Sequence, residues 1–124
     1  MTQPLTLLLY QKLIPGGQLV NRLQDLGYRV QPVADPAALV GDAERGKPLF
    51  IIADVEPRHE SPCAAIAQLR RNSATTHIPV IAFAAAGNAV AQDAARAAGA
   101  TLVVPDHAIL PHLDQFLEQA LQVD

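Results

Sequence analysis

"PLFIIADVEP", residues 48–57, decides how this chain is read. Leu49, Phe50, Ile51 and Ile52 form a short, continuously apolar run bounded by Pro48 and Pro57, the pattern of a strand buried on both faces. The run delivers one carboxylate, Asp54, at its end. In a parallel α/β sheet the C-terminal strand ends form the functional edge, so Asp54 is predicted to sit there.

Strand and helix signals alternate on both sides of this stretch. Upstream, "LTLLLY" (5–10) reads as a strand, and residues 16–28 as a helix with Leu19, Val20, Leu23 and Leu26 at helical spacing. "RVQPV" (29–33) is a short strand whose Pro32 predicts an edge position. Residues 35–46 open with Asp35 as N-cap and Pro36 at the first helical position. Downstream, helix 61–72 starts with Ser61 as cap and Pro62 behind it. Strand 79–85, an alanine-rich helix 89–100, strand 101–105 and a closing helix 110–123 follow. Leu113, Phe116, Leu117, Ala120 and Leu121 share one face of that last helix.

Five such units with apolar strands predict an α/β fold: a doubly wound parallel sheet of five strands covered by helices on both faces. The expected strand order is 2-1-3-4-5 in a flavodoxin-like three-layer sandwich, with Asp54 at the switch point. A length of 124 residues fits one domain, 1–124, and 17% charged residues against 50% hydrophobic ones supports a real core.

Composition excludes several classes. A net charge of −3 gives no electrostatic footprint for nucleic acid, and with no Trp there is little for bases to stack on. No apolar run approaches a membrane span, and "MTQPLTLLLYQK" lacks the basic start of a signal peptide, so a cytoplasmic location is expected. One cysteine, Cys63, excludes an intrachain disulfide and a cysteine metal cluster. Cys63 falls in the first turn of a predicted helix, where the dipole lowers a thiol pKa; a redox sensor and a packed helix residue are both open. His59, His77, His107 and His112 show no metal-ligand spacing, and no metal site is expected. Arg70 and Arg71 are expected to complement the C-terminus of helix 61–72.

Three segments carry a resemblance. "LRRNSATTHIPVIAFAA" (69–85), "AAGATLVV" (97–104) and "LQDLGYRV" (23–30) resemble, in order and spacing, segments of the two-component response-regulator receiver domain, over essentially the whole chain. The resemblance makes Asp54 the match for the phosphoacceptor. Phosphoryl transfer to that carboxylate relies on Mg²⁺, which takes hard oxygen ligands. The family's acidic pair after strand one is replaced here by Tyr10 and Gln11. Its Ser or Thr after strand four is Ala84, and its Lys after strand five is Asp106 without a gap or Val104 with one. The switch aromatic maps to Val103.

The resemblance thus implies a degenerate, pseudo-receiver type. It would be a phosphorelay-related signalling module, not an enzyme, that acts through protein contact without Mg²⁺ or another cofactor. A phosphorylatable receiver using Asp54 is the alternative, and a small flavodoxin-like enzyme or ligand-binding protein the third reading. The implied partner is a protein of a bacterial signalling pathway, a histidine kinase or an effector. A homodimer through the face of 89–100, 101–105 and 110–123 is the further expectation. Ala94 and Ala98, whichever is exposed, are the candidate contact positions on it.

Overall fold

The computed structural model describes residues 4–10, 13–55 and 60–121. Five strands, β1 (Leu5–Leu9), β2 (Arg29–Val33), β3 (Phe50–Asp54), β4 (Val80–Ala84) and β5 (Leu102–Pro105), pair in parallel in the order β2-β1-β3-β4-β5. The expected fold class and strand order are those observed. β2 lies at an edge, where the missing N–H of Pro32 costs no central ladder bond.

Strand alternation splits the core in two. Leu5, Leu7, Leu9, Ile51, Ala53, Val80, Ala82 and Ala84 point to one face and pack with Leu39, Ile66, Leu69, Ala91 and Ala95. These come from helices α2 (Leu39–Gly46), α3 (Glu60–Arg71) and α4 (Ala89–Ala98). Leu8, Phe50, Ile52, Ile81, Phe83 and Val104 point to the other face, against Leu19 and Leu23 of α1 (Leu13–Asp25). Ile109 of the short α5 (Asp106–Ile109) and Leu113, Leu117 and Ala120 of α6 (Leu113–Leu121) complete that layer.

Several boundaries differ from the sequence reading. α1 runs from 13 to 25, not 16 to 28, because the chain turns through Gly27 at φ +94°. Leu49 precedes the strand and is 43% exposed, so burial begins at Phe50. Asp35 does cap, accepting from the Ala37 N–H at 2.9 Å, but it caps a single 3₁₀ turn over 36–38 that leads into α2. Ser61 lies within α3, whose first residue is Glu60. The closing helix begins at Leu113, past Pro111, and not at 110; a separate short helix, Asp106–Ile109, precedes it, and Leu121 faces solvent at 37% exposure.

Arg70 does something other than complement its helix end. Its guanidinium donates from Nε to the Gly99 carbonyl (2.8 Å) and from one terminal nitrogen to the carbonyls of Thr76 (2.7 Å) and Ile78 (2.8 Å). The other terminal nitrogen reaches Thr101 Oγ1 at 3.2 Å. One side chain thereby ties α3 to the turn before β4 and to the turn before β5. Gly99 stands at φ +111°, and a Cβ there would lie 2.7 Å from Arg70 Cγ, so the clamp uses both the glycine's handedness and its bareness.

Candidate functional site

The C-terminal strand ends bring together Tyr10, Asp54, Ala84, Val104 and Pro105. β3 ends on Asp54, which is only 6% exposed. Its register partner on β4 is Phe83, whose partner on β5 is Val104. The Val55 N–H donates to the Phe83 carbonyl at 3.1 Å, closing the β3–β4 pair one residue past Asp54.

The neighbouring tips are apolar. Ala84 is buried and in register with Pro105. Val104 is buried on the α1/α6 face, and half-buried Val103 packs on the opposite face. Asp106 is the first residue of α5 and half-buried. Tyr10, beyond β1, packs half-buried against the α1/α6 layer and is held by its N–H to the Val33 carbonyl at 3.2 Å. Gln11 lies outside the described residues, as does His59. No hydroxyl or ammonium therefore comes from positions 84, 103, 104 or 106.

After β4 the chain is pinned. Asn88 caps α4, accepting from the Ala91 N–H at 3.1 Å, and Gln92 donates to the Ala85 carbonyl at 3.0 Å. Neither was singled out from sequence, although an Asn ahead of an alanine run is a readable N-cap.

Of the two readings of Cys63, its burial supports the packed helix residue. The thiol is buried, and desolvation pushes its pKa up, with the negative charge of Glu60 adding to the effect. The predicted lowering by the helix end is outweighed. His77, His107 and His112 are exposed on separate segments. No group of three or more His, Cys, Asp and Glu able to hold a metal occurs among the described residues. Mg²⁺ prefers carboxylate oxygens in near-octahedral array; of the positions named at the strand tips, Asp54 and Asp106 carry a carboxylate.

On the expected contact face, Ala94 and Ala98 are both half-buried against the α2/α3 layer. The exposed positions of α4 are Ala89, Val90 (67% exposed), Asp93, Arg96 and Ala97, with Asp93 and Arg96 paired at 3.0 Å.

The sequence matches no protein-family model and no curated protein. Solved structures do match. The receiver domain of sensor histidine kinase PA1611 from Pseudomonas aeruginosa PAO1, which has a magnesium ion coordinated in its active-site cleft, is 22% identical with a TM-score of 0.84 and covers 98% of this chain and 100% of its own. Chemotaxis protein CheY4 from Vibrio cholerae is 20% identical with a TM-score of 0.82, over 97% of this chain and 100% of its own. The receiver domain of NtrX from Brucella abortus is 16% identical with a TM-score of 0.81, over 96% and 99%. At such identities the similarity establishes the receiver-domain fold and leaves function to the site.

Proposed function

We propose that this chain is a receiver-type module of two-component signalling whose output is a protein contact and whose control does not run through Mg²⁺-dependent phosphorylation of Asp54. One observation carries the reading: the strand tips beside Asp54 present Phe83, Ala84 and Val104 where phosphoryl chemistry needs a hydroxyl and a cation.

The position of Asp54 at the end of β3 in a receiver fold supports the competing reading, in which it is a phosphoacceptor. Titration with Mg²⁺ and beryllofluoride, an acyl-phosphate mimic, separates the two by amide NMR. No saturable shift at residues 53–55 or 83–85 is expected; saturable shifts there would establish the competing reading. The proposed partner is a protein of a bacterial signalling pathway, a histidine kinase or an effector, met in the cytoplasm. The contact face, including any homodimer, is assigned to α4, β5 and α6. Val90 and Ala97 now take the place of Ala94 and Ala98 as its exposed probes. The module acts by binding and not as an enzyme.

A further inference from the structure

The chain is acidic overall, yet its cations are not scattered. Lys12 and Arg58 lie outside the described residues; the other seven of the nine Lys and Arg stand at the end of the sheet away from Asp54. Arg22, Arg45, Arg70, Arg71 and Arg96 occupy last turns of helices, Arg29 opens β2 and Lys47 precedes β3. Helix dipoles explain part of this, since cations favour C-terminal turns. Arg22, Arg45 and Arg96 meet that need and are paired with Asp114, Asp42 and Asp93.

Lys47 and His77 are different. Both are exposed and lie outside the helices, and they line adjoining cavities. One of about 330 Å³ is walled by Lys47, Leu49, His77 and Pro79, and one of about 310 Å³ by Lys47, Pro48, His77 and Ile78. A third of about 400 Å³ is walled by Arg70, His77, Ile78 and Thr101. His77 and Ile78 belong to all three, and among the described residues none is lined by an Asp or Glu. Lys47 and Arg70 give the cleft its positive charge, the His77 imidazole adds a ring N–H, and exposed Leu49 forms an apolar shoulder.

We propose that this cleft docks an acidic segment of a partner protein, its carboxylates on the Lys47 ammonium and a His77 ring N–H and an apolar side chain against exposed Leu49. Charge complementarity selects the occupant: a basic concavity on a chain of net charge −3 favours a local anionic ligand, and the apolar shoulder favours a peptide over a bare anion. The proposal is independent of how Asp54 is used.

The test is an amide NMR titration at about 20 mM salt, where screening is weak. The probes are an acetylated, amidated Glu-Leu-Glu-Leu-Glu peptide, its Gln-Leu-Gln-Leu-Gln counterpart and inorganic phosphate. Saturable shifts are expected at residues 47, 49, 77 and 78. Binding of the Gln peptide should be about tenfold weaker, from the loss of a few exposed charge pairs. The double variant Lys47→Asn, His77→Gln should weaken the acidic peptide by a similar factor with an unchanged melting curve; Asn is chosen because residue 47 has φ +49° and Asn tolerates that region. Absence of saturation, equal binding of the Gln peptide, equal binding of phosphate, or undiminished binding by the double variant would each overturn the proposal.

Discussion

Truncating Arg70 to Ala removes four hydrogen bonds that span three segments. Bonds from a charged donor contribute about 1.5–3 kcal/mol each when buried, and four of them would sum to about 6 kcal/mol at the low end of that range. That sum must be reduced. The bond to Thr76 is exposed, so its carbonyl rehydrates once the side chain is gone. The Thr101 hydroxyl also accepts elsewhere: its Oγ1 takes the Val80 N–H at 3.1 Å. What remains is the pair of half-buried bonds to Gly99 and Ile78, at about 1.5 kcal/mol each, hence an expected loss of about 3 kcal/mol. For a domain of this size that lowers Tm by about 12 °C. Burial draws the Arg70 pKa down, but a guanidinium stays charged at any working pH, so the loss should not vary with pH. Urea melts followed by circular dichroism give the free energy. Arg70→Lys should recover less than half, because one ammonium cannot bond in the directions of a planar fork. Arg71→Ala, at an exposed neighbour, should stay within about 0.5 kcal/mol. A loss below about 1 kcal/mol for Arg70→Ala, or full rescue by Lys, would refute the clamp as a source of stability.

Three further outcomes are expected. Thr6 is fully buried on β1 and its hydroxyl has no hydrogen-bond partner, so Thr6→Val, nearly equal in volume, should raise stability by about 1 kcal/mol in the same melts. The Cys63 thiol should react with iodoacetamide at pH 8 about a hundredfold more slowly in the folded protein than in urea, measured by mass spectrometry; equal rates would show it accessible as thiolate. Ala97→Glu should leave the melt within about 0.5 kcal/mol while weakening any association through α4, read by sedimentation, whereas Ala94→Glu should cost about 1–2 kcal/mol by forcing a carboxylate against the core.

The sheet was legible because its signals are local and repeated. Apolar runs at β1, β3 and β4 carry no polar side chain but Thr6 before their tips, and such runs have few places to go except a covered parallel sheet. Asp54 was placed correctly at the end of β3 by the same logic, but its burial was not readable, since a carboxylate at a strand end carries no local sign of what the other strands and loops place around it. The short helix α5 was missed because its four residues are too few to show a helical period. Ala94 and Ala98 gave no sign of their orientation, since in an alanine-rich helix every face has the same hydropathy. Arg70 was invisible for a different reason: its partners lie 6 to 31 residues away, and an Arg at a helix end looks the same whether it faces solvent or bridges two turns.

The Arg70–Gly99 contact also governs how this sequence can change by single steps. With Arg70 present, a methyl group at position 99 meets the arginine stem at 2.7 Å and disturbs the bond to the carbonyl of its own residue. With Arg70 shortened, the space opens and only the backbone strain of φ +111° remains. The effect of a substitution at 99 thus depends on which residue occupies 70, and a cycle of the two single variants and the double should fail to add. Each first step alone costs stability, and the second step costs less once the first has been taken. A lineage holding both residues is therefore confined to them by a valley on either side, even though neither residue is near the strand tips where function would be sought.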